Sequence, residues 1–243
     1  GTLSVAKVLV ETGMVKRVEP ETKIVLETPT GLVTVYVKWE NHMVASINLE
    51  NVPAFLYRKD LHIDLAGYGD VSVDIGYGGN FFVLADVHSL GLTITKDTVN
   101  LLRSLSKDIL AAANKVIKVA HPTNPAINYL DQVLFCQNVP EEDGGYLAQC
   151  IFGDAQADIS PCGTGTSTRL AQRYFRGLIG LEETFVQKSV CGGAFHAKGL
   201  RETTLGGVPA IVPYVSCSDV HITGFNHLIV EENDKLKNGF VSW

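Results

Sequence analysis

From Gly31 to Trp39 the stretch "GLVTVYVKW" sets Val33, Val35 and Val37 on one face and Thr34 and Tyr36 on the other. That period of two is the mark of a strand with one buried face. "MVASINL" (43–49), "VSVDIGY" (71–77), "NFFVLADV" (80–87), "YLAQCIF" (146–152), "VPAIVPYV" (208–215) and "VHITGFNHLIV" (220–230) also read as strands, punctuated by Gly, Asn, Asp and Pro. Three segments follow a helical period instead. Between Asp97 and Ile117, the residues Leu101, Leu105, Ile109, Ala112 and Val116 recur behind an aspartate suited to the N-cap. A second helix is predicted to start near Thr166, with Leu170 and Tyr174 four apart and Gly177 closing it. A third covers Leu3 to Glu11 and ends before Gly13. Many strands with a few separated helices predict an α+β fold and not a parallel βαβ series.

The chain repeats itself. Gly1-Thr2 matches Gly165-Thr166 at an offset of 164, which also brings Gly13 onto Gly177. After a slip of two residues, Glu21-Thr22 falls on Glu183-Thr184 and Gly31 on Gly193. Each copy reads helix, glycine stop, strand, glycine, strand. So long a period predicts two similar domains facing each other and not a solenoid.

Composition narrows the function. At 243 residues and 46% hydrophobic content the chain can bury a core. A net charge of −6 with scattered lysines and arginines argues against nucleic acid. With no apolar run of about 20 residues and no leader at its start, the expected setting is soluble and cytoplasmic, away from membranes. Five cysteines, at 136, 150, 162, 191 and 217, include no CxxC pair, and no Cys/His cluster has zinc-ligand spacing. No metal is expected, and most of these cysteines read as small buried hydrophobes.

"SPCGTGTS" (160–167) is the exception. A thiol becomes a useful base when its pKa falls, and a helix N-terminus lowers it. Small residues at Gly163, Thr164 and Gly165 let a ligand approach unpaired amides there. A carboxylate held by the Gly163 and Thr164 amides would face the Cys162 sulfur at its α-carbon, and Asp158 would suit an ammonium group. A phosphate loop would need a lysine where Thr166 stands. A cysteine hydrolase would need a histidine base, and none of the seven histidines is singled out. A plain buried cysteine before a glycine turn stays open.

On these residues the chain resembles the proline racemase family. "DISPCGTGTS" (158–167) is close to that family's Asp-Arg-Ser-Pro-Cys-Gly-Thr-Gly-Thr-Ser, with Ile159 in place of arginine. "ETGMV…EP…LETPTGLV" (11–33), "NVPAFLY" (51–57), "DIGYGGNFF" (74–82), "HP" (121–122) and "ITGFNHLIVEENDKLKNGF" (222–240) extend the likeness over the chain. The resemblance implies a diaminopimelate-epimerase-like fold of two similar domains, each a curved sheet wrapped on a central helix. They would comprise residues 1–66 plus 218–243 and residues 67–217, the latter carrying Cys162. It also implies a cofactor-independent two-base isomerase acting on a small cyclic amino acid, and it is compatible with a homodimer. Cys162 would be one acid/base, Asp158 the ligand of the substrate nitrogen, Gly163 and Thr164 the carboxylate donors, and Phe152 an apolar wall. In family members a Met-Cys-Gly-His-Gly-Thr motif supplies the other cysteine, and Gly1-Thr2 looks like its tail. The first domain is therefore expected to be incomplete at its N-terminus. Racemisation is expected only where a longer chain supplies that cysteine.

A cysteine at 162 favours proline racemase or 4-hydroxyproline 2-epimerase over trans-3-hydroxyproline dehydratase, and "QCIFG" with Phe152 favours proline. The competing class is an inactive fragment or a binder of a cyclic amino acid. Trp39 and Trp243 read as surface or packing residues, and His121 as part of a helix connection.

Overall fold

Most of the alternating stretches become strands of one mixed sheet in the computed structural model, which describes residues 1–226 and 229–239. The chain opens with helix α1 (Thr2–Glu11), followed by β1 (Glu21–Thr28), β2 (Gly31–Glu40) and β3 (Met43–Glu50). Next come β4 (Phe55–Leu65), β5 (Gly69–Tyr77), β6 (Phe81–Asp86) and helix α2 (Val99–Val116). Strands β7 (Gln132–Cys136), β8 (Tyr146–Phe152) and β9 (Gln156–Ala157) lead into helix α3 (Gly163–Phe175). Finally β10 (Phe185–Lys188), β11 (Ala194–Leu205) and β12 (Val208–Cys217) return the chain to β3. The sheet order is β1-β2-β3-β12-β11-β10-β8-β7-β6-β5-β4, with β9 paired to β8. Among the described residues only the β10–β8 and β6–β7 neighbours are parallel. The fold is thus α+β.

In β2 the residues Val33, Val35, Val37 and Trp39 are buried while Thr34 and Tyr36 are only partly so, as the alternation requires. Trp39 is a packing residue: its indole N–H donates to Thr22 Oγ1 at 2.9 Å and the Arg17 guanidinium lies over its ring. His121 Nδ1 accepts from the amide of Asn124 at 3.1 Å, in the connection after α2. Trp243 lies outside the described residues.

Helix α1 packs on β2 and β3, and α3 on β4, β5, β6, β11 and β12, while α2 covers the strands around β7. Gly13 (φ 74°) and Gly177 (φ 70°) follow the ends of α1 and α3 in the same left-handed conformation. Each helix is then followed by a hairpin-forming strand pair, β1–β2 or β10–β11, so the repeated order of elements is present.

Several expectations need correction. Helix α2 starts after Thr98, not Asp97, because Thr98 forms a local hydrogen-bonded turn with Thr95. Its buried stripe is Leu102, Leu105, Ile109 and Ala113; Leu101 lies off that stripe and Val116 at the helix end, both exposed. Helix α3 starts at Gly163, a turn sooner than Thr166, which makes Cys162 its N-cap. Residues 220–226 and 229–230 form no strand; the remainder of that stretch, 227–228, lies outside the described residues. Residues 66 and 67 lie in the turn of the β4–β5 hairpin, and β4 packs on α3.

Helix α3 is buried from Gly165 to Ala171 although it reads "GTSTRLA". Its hydroxyls make that possible by binding within the protein. Ser167 Oγ donates to the Gly163 carbonyl (2.9 Å) and Thr168 Oγ1 to the Thr164 carbonyl (2.8 Å). Asn51, just after β3, donates to Ser167 Oγ at 2.9 Å and to the Gly78 carbonyl at 3.0 Å.

Candidate active site

The N-terminal turns of α1 and α3 line one cavity of about 640 Å³, within the ~300–1,000 Å³ usual for small-molecule sites. Gly1 to Ser4 contribute one side of the lining and Cys162, Gly163 and Thr164 another. The starts of the two helices related by the internal repeat therefore meet at the same space. Asp158 and Phe152 also line it, so every predicted site residue reaches this cavity. No lysine or arginine side chain is among the described lining residues. Positive potential there comes instead from the helix ends.

Local hydrogen bonds hold the segment before α3 in place. Gln187, buried in β10, donates to the Pro161 carbonyl (2.8 Å) and to Thr166 Oγ1 (2.9 Å). Ser189 Oγ donates to the Ile159 carbonyl (2.8 Å), and the Ser160 amide donates to Asp158 Oδ1 (2.8 Å). Gln149 reaches the Asp158 carbonyl through its amide nitrogen (2.9 Å). Cys162 is forced to φ 63° and ψ 110°, which bends the chain abruptly into the helix. Among the described residues no protein acceptor takes the Gly163 or Thr164 amide hydrogens, as expected for the first turn of a helix.

Cys162 is nearly buried, and its sulfur accepts from the Gly165 amide at 3.3 Å. A second thiol stands beside it. The sulfurs of Cys150 and Cys162 and a carboxylate oxygen of Asp158 all lie within 4.8 Å of one another. The Cys162 thiol sits below the ordinary thiol range, chiefly because Cys150 S–H can donate to its thiolate. The Thr164 hydroxyl and the Gly165 amide act in the same direction, against burial and the Asp158 charge. Cys150 is pushed well up, first by that same bond and then by burial. One thiol is thereby disposed to ionise while its neighbour keeps its proton.

Reading the residues alone missed Cys150, which hides in the apolar run "LAQCIF" as a small hydrophobe. It packs with Phe82, Leu84 and Leu134 in the small core that also holds Cys162. Gln187 and Ser189 were missed as well, since lone polar residues in strands carry no sequence signal of what they hold. Cys217 and His221, also on the cavity lining, had no predicted role.

The chain is similar to known proteins over nearly its whole length. The proline racemase family model matches residues 1–241. A trans-3-hydroxy-L-proline dehydratase from Burkholderia cenocepacia is 37% identical over 242 residues, covering 99% of this chain and 72% of the relative. A proline racemase from Acetoanaerobium sticklandii is 38% identical over 241 residues, with the same coverage of both chains. The crystal structure of a hydroxyproline epimerase from Agrobacterium vitis, with trans-4-hydroxy-L-proline bound, superposes with a TM-score of 0.89. It is 31% identical and covers 99% of this chain and 69% of its own.

Proposed function

The chain belongs to the proline racemase family, and we propose that Cys162 is one acid/base of a cofactor-independent isomerase acting on a proline-type amino acid. The observation that carries this reading is the meeting of a thiol, an acidic side chain and two helix N-termini around one cavity. The amides of Gly163 and Thr164 hold the substrate carboxylate, and Asp158 takes the ring nitrogen. The Cys162 thiolate then removes the α-proton. As the α-carbon becomes planar, negative charge moves onto the carboxylate, where fixed amides stabilise it without reorganisation. Inversion needs a proton delivered to the opposite face. In the proposed reaction a second acid/base faces Cys162 across the substrate, near the start of α1, whose residues Gly1 to Ser4 also line the cavity.

Proline is the first choice of substrate because Phe152 gives the cavity an apolar wall for an unsubstituted ring. Hydroxyproline is the second reading, favoured by Asp219 and His221, which line the same cavity and suit a ring hydroxyl. The same proposal takes the enzyme as cytoplasmic, in keeping with five unpaired cysteines among the described residues, and as a homodimer, checked by light scattering. Exchange of the α-proton into heavy water, followed by NMR, tests the reaction. Exchange from L-proline that vanishes in Cys162→Ser supports the reading. Preference for trans-4-hydroxy-L-proline shifts the substrate, and exchange that persists in Cys162→Ser sinks the role of the thiol.

A further inference from the structure

Cys150, Asp158 and Cys162 are far from any zinc-ligand motif in spacing, yet the fold gathers one donor atom from each within 4.8 Å of the others. All three residues line the cavity, so an ion arriving through it can reach them. Two sulfurs and one carboxylate oxygen are the donor set of a borderline-soft divalent cation. With zinc bonds of about 2.3 Å to sulfur and about 2.0–2.2 Å to oxygen, tetrahedral donors stand roughly 3.5–3.8 Å apart. Closing the trio onto an ion therefore asks for movements of roughly 1 Å. Against the positive potential of the helix ends, the described lining side chains set the Asp158 and Asp219 carboxylates and no lysine or arginine. Three groups that oppose one another's negative charge are all relieved by a dication among them.

We propose that Cys150, Cys162 and Asp158 form a binding site for a thiophilic divalent cation such as Zn²⁺, and that occupancy switches the enzyme off. Binding releases the Cys150 proton to solvent, and the Cys162 proton too where that thiol is still protonated, and leaves two thiolates and a carboxylate on the metal. The fourth position stays open towards the cavity, as in zinc sites with three protein ligands. The metal site stands on geometry alone; the blockade of turnover rests on the proposed role of Cys162 and Asp158. Cys150 then has two effects. In the free enzyme it donates to the Cys162 thiolate, and in the metal-bound enzyme it is a ligand.

Cadmium is the probe, because its thiolate complexes absorb in the ultraviolet. Protein carrying Cys191→Ser, to remove the exposed thiol, is reduced with a phosphine and titrated with Cd²⁺ in the absence of any amino acid. One ion per chain with a two-thiolate band is expected. Cys162→Ala and Cys150→Ala should each lose about half the band or more. Asp158→Asn should bind at least about tenfold more weakly. Thermal unfolding of each variant confirms that it is folded, and Cys150→Ser serves should the alanine variant not fold. A full band in folded Cys150→Ala, or no band in the folded parent, overturns the site. Zn²⁺ should stop α-proton exchange in proportion to occupancy, and full occupancy with undiminished exchange overturns the blockade. Metal-free protein that never exchanges counts against the catalytic reading instead, and leaves the cadmium band as it was.

Discussion

Gly78 lies against Thr168 so closely that a Cβ on residue 78 would stand 2.5 Å from the Thr168 amide nitrogen. The same atom would be 2.6 Å from the Thr164 carbonyl oxygen. Both are backbone atoms of α3, and neither can swing aside as a side-chain tip would. Gly78→Ala must therefore displace the helix or the loop after β5. A loss of about 1–3 kcal/mol is expected from overpacking of this kind, read as a lower urea midpoint. Alkylation of Cys162 should change with it, since the same helix positions that sulfur.

The Asp74–Arg176 pair makes part of the protein's stability sensitive to acid. The Arg176 Nη2 and Nε groups donate to the two Asp74 oxygens at 2.6 and 2.7 Å, with Gln172 and the Asp60 amide adding further bonds. Burial pushes this carboxyl up, but the donors outweigh it and hold the group below the usual carboxylate range. A depressed folded-state pKa gives stability that is complete above the unfolded value of about 3.9 and is lost as pH falls through the folded one. Asp74→Asn should flatten the acid limb of the stability profile. At neutral pH it should lose about 2 kcal/mol, less than a fully buried pair, because Arg176 is 30% exposed and keeps Asp60.

The pH dependence of Cys162 alkylation should have its midpoint below that of a free thiol such as glutathione. Replacing Cys150 by alanine removes the S–H donor, so the midpoint should rise. A midpoint that stays put would mean that the Gly165 amide and the helix end supply the effect by themselves.

Gln187→Leu should lower stability by about 1–2 kcal/mol, because Thr166 then becomes the remaining donor to the Pro161 carbonyl. Hydrogen exchange at the Gly165 amide should quicken in the same variant, as the turn holding Cys162 loosens.

How far these features could be read from the residues depended on how local their causes are. Alternation in β2 and the stops at Gly13 and Gly177 are local, and they stand where the pattern put them. Strand β4 escaped notice because its register shifts between Leu56 and Arg58 and between Arg58 and Leu61, with Asp60 at positive φ, so its alternation is broken. Residues 220–226 carry an apolar pattern without pairing, which no local rule reveals. At the site, Cys162 and Asp158 stood out through a motif, whereas Cys150 becomes its neighbour only when β8 lies beside the start of α3. Their meeting depends on sheet order, which the chain does not display along its length.

The backbone at Cys162 implies a conflict between durability and work. A φ of 63° with ψ 110° disfavours any residue that carries a Cβ, typically by about 1 kcal/mol or more. Glycine is ordinarily the poorer choice beside alanine by roughly 0.5–1 kcal/mol. At this one position the order should reverse, and Cys162→Gly should melt above Cys162→Ala although it removes one more carbon. Stability alone would thus favour glycine at this position, and the proposed acid/base role of Cys162 sets its sulfur against that preference.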